Sequence, residues 1–258
     1  MTKAAPFSAE DRQGESALVS VIMPAWCAAP WLERAVLSVR NQTRTDWELF
    51  IVDDASTDDT AAIATRLARD DPRIRLLAQP RRSGAAQARN RAISQAAGRY
   101  IAFLDADDCW LPEKLETQIA FMERVGAGLS YTGFWRARGE KRREVAVPES
   151  VDHAALLRGN IIGCLTAVYD RERLGTRLMP DLPLRQDYAL WLEILRELPR
   201  AHGLTTPLAV HHATPGSLSS RRLRAAAATW QVYRREGLGR GAASLCLGRH
   251  LLRRLARG

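Results

Sequence analysis

The chain has 258 residues, 46% of them hydrophobic and 26% charged, which is the composition of a globular domain with a sizeable core. No apolar run approaches the roughly 18 residues that a membrane span needs, and residues 1–17 contain no apolar segment typical of a signal peptide. The four cysteines are far apart in sequence, so neither a zinc site nor a disulfide framework is indicated, and we expect a cytoplasmic protein.

The net charge of +9 is concentrated at the C-terminal end of the chain. Residues 219–258 contain ten arginines and a single acidic residue, Glu236, whereas basic and acidic residues balance in the rest of the chain. No known nucleic-acid-binding motif accompanies the arginines, so we predict no nucleic-acid partner.

Strands and helices alternate through the first hundred residues. The apolar patterns predict strands at 19–23, 47–52, 74–78 and 100–104, and helices at about 30–41, 60–69 and 84–97. Gly98 is interpreted as the glycine that closes the third helix, and a further helix is predicted to begin near Pro112. This alternation predicts a mostly parallel α/β sheet with helices on both faces and a ligand site beyond the carboxyl ends of the strands.

The second half is less regular. Strands are predicted at 129–135 and 161–169, a helix at 187–198 and an extended segment at 202–212. Because several strands follow one another without helices, we expect mixed or antiparallel pairing that continues the first sheet. The predicted organisation is a flexible N-terminal arm at 1–17, one α/β domain at 18–220 and a basic helical tail at 221–258.

The fourth predicted strand ends in three carboxylates, Asp105, Asp107 and Asp108. A strand interior cannot bury that much negative charge without partners, and oxygen ligands in this number suit Mg²⁺ or Mn²⁺. The alternative is that Asp107 or Asp108 caps the helix near Pro112. A second acidic pair, Asp53 and Asp54, also ends a strand, and its position at the same edge of the sheet favours the metal and phosphate site.

Several segments in this order resemble the family 2 glycosyltransferases, which are inverting enzymes with a GT-A fold. The resemblance rests on the segments Val19–Pro24, Ser38–Thr43, Phe50–Thr60, Ala88–Arg91, Phe103–Asp108, Arg185–Trp191 and Pro215–Ser219. It implies transfer of a sugar from a UDP-, GDP- or dTDP-linked donor to a hydroxyl of a saccharide or lipid-linked acceptor, in the synthesis of cell-surface polysaccharide or glycolipid.

The resemblance also implies roles for individual donor-binding residues. Pro24 and Trp26 match positions that line the nucleoside pocket, and Asp54, next to Asp53, matches the carboxylate that accepts a hydrogen bond from the base. Asp105 and Asp107 match the DXD motif, in which Asp107 would bind the metal and Asp105 would assist. This assignment leaves Asp108 as the cap of the following helix.

The resemblance implies roles for two further residues, and each of these residues has an alternative structural role. Asp187 matches the catalytic aspartate that takes the proton of the acceptor hydroxyl, and it is also placed to cap the helix that starts there. Arg89 would add positive charge near the diphosphate, or form a surface salt bridge. Many relatives carry Tyr-Arg-x-His where this chain has His211-His212-Ala213-Thr214, so we ask whether His212 replaces one of those contacts.

The end of the basic tail has an amphipathic pattern. On a helical wheel, one side carries Leu245, Gly248, Leu251, Leu252, Leu255 and Ala256, and the other carries Arg249 and His250 with the later arginines. A basic amphipathic helix at Leu245–Arg257 is typical of a segment that lies on an anionic membrane, here at the inner face of the cell membrane. The alternative is that its leucines pack on the α/β domain.

Two other functions remain open at this stage. One is a sugar nucleotidyltransferase, but Pro24 to Pro30 contains no glycine-rich phosphate loop with a basic residue. The other is an inactive sugar-nucleotide-binding or scaffold protein. The presence of Asp54, Asp107 and Asp187 together favours an active enzyme.

Overall fold

A computed structural model describes residues 18–213 and 222–256. The predicted N-terminal arm and the Pro215–Ser219 segment therefore lie outside the described residues. In the first half, strands and helices alternate as predicted: β1 (Val19–Ala25), α1 (Ala29–Arg40), β2 (Trp47–Asp53), α2 (Thr60–Asp70), β3 (Ile74–Ala78), α3 (Ala85–Ile93) and β4 (Tyr100–Phe103). These four strands are parallel and lie in the order β3-β2-β1-β4.

The second half continues the same sheet with mixed pairing. It comprises β5 (Cys109–Trp110), α4 (Lys114–Val125), β6 (Leu129–Arg138), β7 (Lys141–Val145), β8 (Ser150–Val151), α5 (His153–Leu157), β9 (Val168–Asp170), α6 (Arg171–Leu174), α7 (Gln186–Glu197) and β10 (Ala201–His212). Strand β9 pairs antiparallel with both β4 and β6, and β10 runs parallel to β6. The predicted mixed α/β sheet is confirmed.

Two local predictions are wrong. Helix α3 ends at Ile93, so Gly98 does not close it. Gly98 instead allows its backbone to lie close to β1, because a Cβ atom at this position would be 2.7 Å from the backbone nitrogen of Ser20. The predicted strand at 161–169 contains a 3₁₀ turn at Cys164–Thr166, and only its end belongs to β9. A short apolar run indicates burial without specifying extended backbone.

Alternate residues of the strands pack into cores on the two faces of the sheet. Ile22 and Phe50 face a core that includes α3 and α7, whereas Val21 and Leu49 face the core under α1 and α4. This period of two is the expected geometry of a strand that is covered on both sides. Helices α3 and α7 therefore share one face of the sheet.

Two C-terminal helices, α8 (Arg222–Arg235) and α9 (Arg240–Ala256), pack against the same core as α7. Val232, Tyr233 and Ala243 are fully buried there. The predicted boundary at residue 220 stays a prediction, although the contact with α7 is direct. None of the helices in the described residues has the length and apolarity to cross a membrane.

The helical-wheel interpretation of α9 is partly wrong. Leu245 is 58% exposed, so this leucine does not pack on the α/β domain, and the packing of Leu251, Leu252 and Leu255 stays a prediction. His250, which the wheel places among the arginines, is buried, and Cys246 and Leu247 pack against the core. The face of α9 that packs towards α7 contains Cys246, Leu247 and His250. The separation of leucines from arginines on the helical wheel does not predict this face.

Candidate active site

The loops after β1 and β2 form one side of the crevice at the carboxyl edge of the sheet. Trp26 follows β1 and is 46% exposed, and the guanidinium of Arg82 lies 3.4 Å from the centroid of its ring. The backbone at Cys27 and Ala55 is left-handed, with φ of 47° and 57°. Such non-glycine outliers concentrate at functional sites. The predicted stacking of a nucleoside base on Trp26 stays a prediction.

Asp54 holds the loop that leads into α3. Its buried carboxylate accepts hydrogen bonds from the backbone nitrogens of Ser83 and Gly84, both at 2.7 Å, and from the Ser83 hydroxyl and the Gln79 amide, both at 3.0 Å. Neighbouring Asp53 is also buried, and its Oδ1 accepts from the backbone nitrogen of Ser56 at 3.2 Å. These two acidic residues therefore fix the loops around the predicted nucleoside pocket.

Arg89 lies inside the site, and its interpretation as a surface salt bridge is wrong. It is 5% exposed and forms a direct ion pair with Asp105. Its Nη1 lies 3.9 Å from the sulfur of Met179, and its Nε has no partner among the residues that the structure describes. Helix α3 thus delivers a buried positive charge to the end of β4, where the DXD segment begins.

Asp108 was predicted to cap the following helix, and this prediction is wrong. The N-cap of α4 is Glu113, which makes no side-chain cap, and Asp108 turns to the end of β10 instead. Its Oδ1 accepts from the backbone nitrogen of His212 at 2.8 Å and lies 3.3 Å from Nδ1 of His211. Burial raises the pKa of Asp108 to about 6 against the opposing effect of His211, and the charges of Asp105 and Asp107 add to the rise.

The DXD segment provides a donor set that fits a divalent cation. The described residues contain no group of three or more His, Cys, Asp or Glu side chains arranged around one metal position. Magnesium characteristically takes one or two protein carboxylates and completes its shell with water and substrate phosphates. Asp105 and Asp107 offer two carboxylates of this kind, and their charges add to the rise that burial causes in the pKa of Asp108, so the segment suits such a shared site.

Asp187 lies in the first turn of α7, on the face of the sheet that also carries α3. The N-cap of this helix is Arg185, whose backbone is left-handed with φ of 66°, so Asp187 does not cap it. Burial raises the pKa of Asp187, although the backbone nitrogen of Tyr188 and the charges of Arg185 and Arg89 oppose the rise. Trp191 of α7 packs against Phe103 of β4 with ring centroids 5.6 Å apart, and Arg89 of α3 pairs with Asp105 after β4, so the three elements adjoin at this end of the sheet.

The histidine pair ends β10 beside these carboxylates. Burial lowers the pKa of His212, and its buried Nδ1 has no partner in the described part of the chain. The hydrogen bond to Asp108 raises the pKa of His211. Sequence analysis missed the pairing of Asp108 with His211, because the two residues are about a hundred positions apart and only the antiparallel contact of β5 with β10 brings them together.

The fold and the acidic edge of the sheet define a transferase with a GT-A fold. The chain belongs to glycosyl transferase family 2, whose model matches residues 20–169, and it is a glycosyltransferase. A putative teichuronic acid biosynthesis glycosyltransferase, TuaG of Bacillus subtilis, is 41% identical over 220 residues, which are 84% of this chain and 87% of that protein.

Other similar proteins agree with this family. The Escherichia coli protein WfgD, named as a UDP-Glc:alpha-D-GlcNAc-diphosphoundecaprenol beta-1,3-glucosyltransferase, is 38% identical over 181 residues, 70% of each chain. Staphylococcus aureus TarS in complex with UDP-GlcNAc has a TM-score of 0.72 at 19% identity, covering 90% of this chain and 71% of TarS. The mannosyltransferase PcManGT of Pyrobaculum calidifontis, in complex with GDP-Man and Mn²⁺, has a TM-score of 0.66 at 22% identity, covering 90% and 68%. At these identities the two structures show the fold alone.

Proposed function

We propose that this glycosyltransferase moves a sugar, with inversion, from a nucleoside diphosphate to a hydroxyl of a saccharide or lipid-linked acceptor in the assembly of cell-surface polysaccharide or glycolipid. The observation that carries the proposal is a carboxylate of raised pKa, Asp187, on the same face as the buried Arg89 and its ion-pair partner Asp105. The names of TuaG and WfgD support this class of product and acceptor.

The donor would lie across the carboxyl ends of β1, β2 and β4. Trp26 and Pro24 would line the nucleoside pocket, and Asp54 would read the base while it holds the Ser83–Gly84 loop in place. The complexes of TarS with UDP-GlcNAc and of PcManGT with GDP-Man support a UDP- or GDP-linked donor, and a dTDP-linked donor stays a prediction from the sequence. The charge of Arg89 would lie near the diphosphate.

Asp187 would act as the general base. It accepts the proton of the acceptor hydroxyl while that oxygen forms a bond to the anomeric carbon and the bond from this carbon to the diphosphate breaks. A raised pKa makes the ionised carboxylate a stronger base at neutral pH. The single displacement inverts the anomeric configuration, and the nucleoside diphosphate leaves with the electron pair.

Asp107, with Asp105 beside it, would hold a divalent cation, Mg²⁺ or Mn²⁺. When bound, such an ion acts as a Lewis acid that stabilises the charge of the leaving diphosphate. The Mn²⁺ in the PcManGT complex supports this assignment. The pairing of Arg89 with Asp105 positions the side chains of the segment before any ligand binds.

The test is Asp187→Asn, which keeps the shape of the side chain and removes the base. We expect turnover to fall by about 10³-fold, as is typical for loss of a general base, with the Kd of the donor changed by less than about twofold. Asp181→Asn, at an exposed position before α7, is the control. Undiminished turnover of Asp187→Asn would reject Asp187 as the base, and donor binding without turnover in the wild-type protein would indicate an inactive sugar-nucleotide binder.

We also propose that α9 rests on the inner face of the cell membrane. Leu245 and Arg249 are both exposed on the described part of this helix, one apolar and one basic. The double substitution Leu245→Ser/Arg249→Gln should weaken co-sedimentation with vesicles that contain phosphatidylglycerol, because both apolar burial and attraction to headgroups decrease. Unchanged co-sedimentation would contradict the membrane assignment.

A further inference from the structure

The β6–β7 hairpin carries four cations on one face. Arg136 is directly opposite Arg143, and Arg138 is directly opposite Lys141. Directly opposite residues of an antiparallel pair project to the same side of the sheet, and all four side chains are exposed. We call these four residues the cation ladder.

The cation ladder places like charges in positions where they repel. Like charges directly opposite one another destabilise a strand pair. Within the described residues, no salt bridge joins Arg136, Arg138 or Lys141 to a carboxylate. Glu144 cannot serve this face because it is opposite Trp135 and projects to the other side. Arg136, Arg138 and Lys141 therefore present a concentrated positive charge to solvent.

Protection of a sheet edge does not account for this arrangement. Lysine and arginine on edge strands prevent unwanted pairing with other chains. Strand β7 pairs only with β6 in the described sheet, so this explanation suffices for the two cations of β7. It does not apply to Arg136 and Arg138, because β6 is paired with β10 on one side and with β7 on the other.

The cation ladder begins beside the candidate active site. His211 on β10 is in parallel register with Arg136 and stacks on Phe134 of β6, with ring centroids 6.4 Å apart. The same imidazole lies 3.3 Å from Asp108, which directly follows the DXD segment. An anion bound along the ladder would thus belong to a molecule that also reaches the active site.

We propose that the cation ladder binds the diphosphate that joins a saccharide acceptor to its lipid carrier. This inference rests on the proposed function, and it identifies the part of the acceptor that the hairpin recognises. A diphosphate that joins a sugar to a lipid carries two negative charges next to the acceptor sugar, one on each phosphate, which the closely spaced cations of the ladder would neutralise, and arginine is well suited to bidentate binding of phosphate oxygens. WfgD, a relative, is named for an acceptor of this chemistry.

The double substitution Arg138→Gln/Lys141→Gln tests the proposal without altering Arg136 beside His211. The probe is decyl diphosphate, and the reference ligand is UDP with Mn²⁺. We expect the Kd of decyl diphosphate to rise about tenfold, with the Kd of UDP changed by less than about twofold. The unfolding temperature should not fall, because a repulsive pair is removed. The control Arg66→Gln/Arg69→Gln on α2 removes the same charge elsewhere and should leave both constants unchanged.

Three results would overturn the proposal. They are an unchanged Kd for decyl diphosphate, an equal weakening of UDP, and loss of binding to phosphatidylglycerol vesicles while decyl diphosphate still binds as before. The last result would identify the ladder as a membrane-binding surface. Failure of the proposed function is distinguishable from failure of this inference. Full turnover of Asp187→Asn would reject the catalytic assignment, whereas the effect of Arg138→Gln/Lys141→Gln on the Kd of decyl diphosphate does not depend on that result.

Discussion

Lys114 provides a quantitative test of the structure, because it is a fully buried lysine at the start of α4. Its Nζ donates to Oε1 of Gln118 at 2.6 Å and lies 4.4 Å from the centroid of the Trp110 ring. No salt bridge joins it to a carboxylate of the described residues. Burial lowers the pKa of Lys114 from 10.5 to about 7.

This pKa makes the stability of the protein depend on pH in a predictable direction. At about 1.4 kcal/mol per pKa unit, the lowering corresponds to roughly 5 kcal/mol over the whole range between the two pKa values. Between the folded pKa and the unfolded value of 10.5, the unfolded chain binds more protons. The free energy of unfolding therefore rises with pH across this window, by roughly 2 kcal/mol from about pH 7 to about pH 9.

The substitution Lys114→Met removes the titrating group and keeps most of the side-chain volume. Urea unfolding of both proteins at the two pH values gives the change in the free energy of unfolding with pH for each protein. The titration of all other groups is common to both proteins, so it cancels when the two changes are subtracted. We expect the rise of roughly 2 kcal/mol in the wild-type protein to be absent from Lys114→Met and to persist in Lys141→Met, where the lysine is exposed. An identical pH dependence in the wild type and Lys114→Met would refute the burial of a charge-destabilised lysine.

Other predictions concern packing, docking of the C-terminal helices and catalysis. Gly98→Ala should lower the free energy of unfolding by about 1 to 3 kcal/mol, since the new Cβ would lie 2.7 Å from the nitrogen of Ser20; unchanged urea unfolding would contradict that close approach. Glu236→Ala should lower the free energy of unfolding by about 1 to 3 kcal/mol in the same assay, because the variant lacks the ion pair of Glu236 with Arg196 at 2.8 Å, which joins α8 to α7. A smaller decrease than that of the control Glu193→Ala, at a solvent-accessible position on α7, would count against this contact. The kcat of the wild type should fall as the pH decreases through the raised pKa of Asp187, at higher pH than an ordinary aspartate requires; a pH–rate profile without this acid limb would count against the base.

The alternation of strands and helices made the first half of the fold predictable. Apolar residues at a period of two or 3.6 specify strands and helices locally, and β2 and β3 begin at the predicted residues. Asp54 follows β2 directly and Asp105 lies two residues after the end of β4, so their place at the carboxyl edge followed from the parallel sheet. The second half was harder, because short apolar runs such as 161–169 do not distinguish a strand from a buried turn.

The sequence by itself determined the class of fold and the presence of carboxylates at one edge of the sheet, since both depend on patterns within short segments. Only the tertiary structure decided the partners of those groups. Arg89 reaches Asp105 from another element, Asp108 turns to His211, and the one acid of the basic tail, Glu236, joins Arg196 of α7. These contacts depend on strand register and helix packing between distant parts of the chain, so burial and pKa become defined only when the folded elements meet.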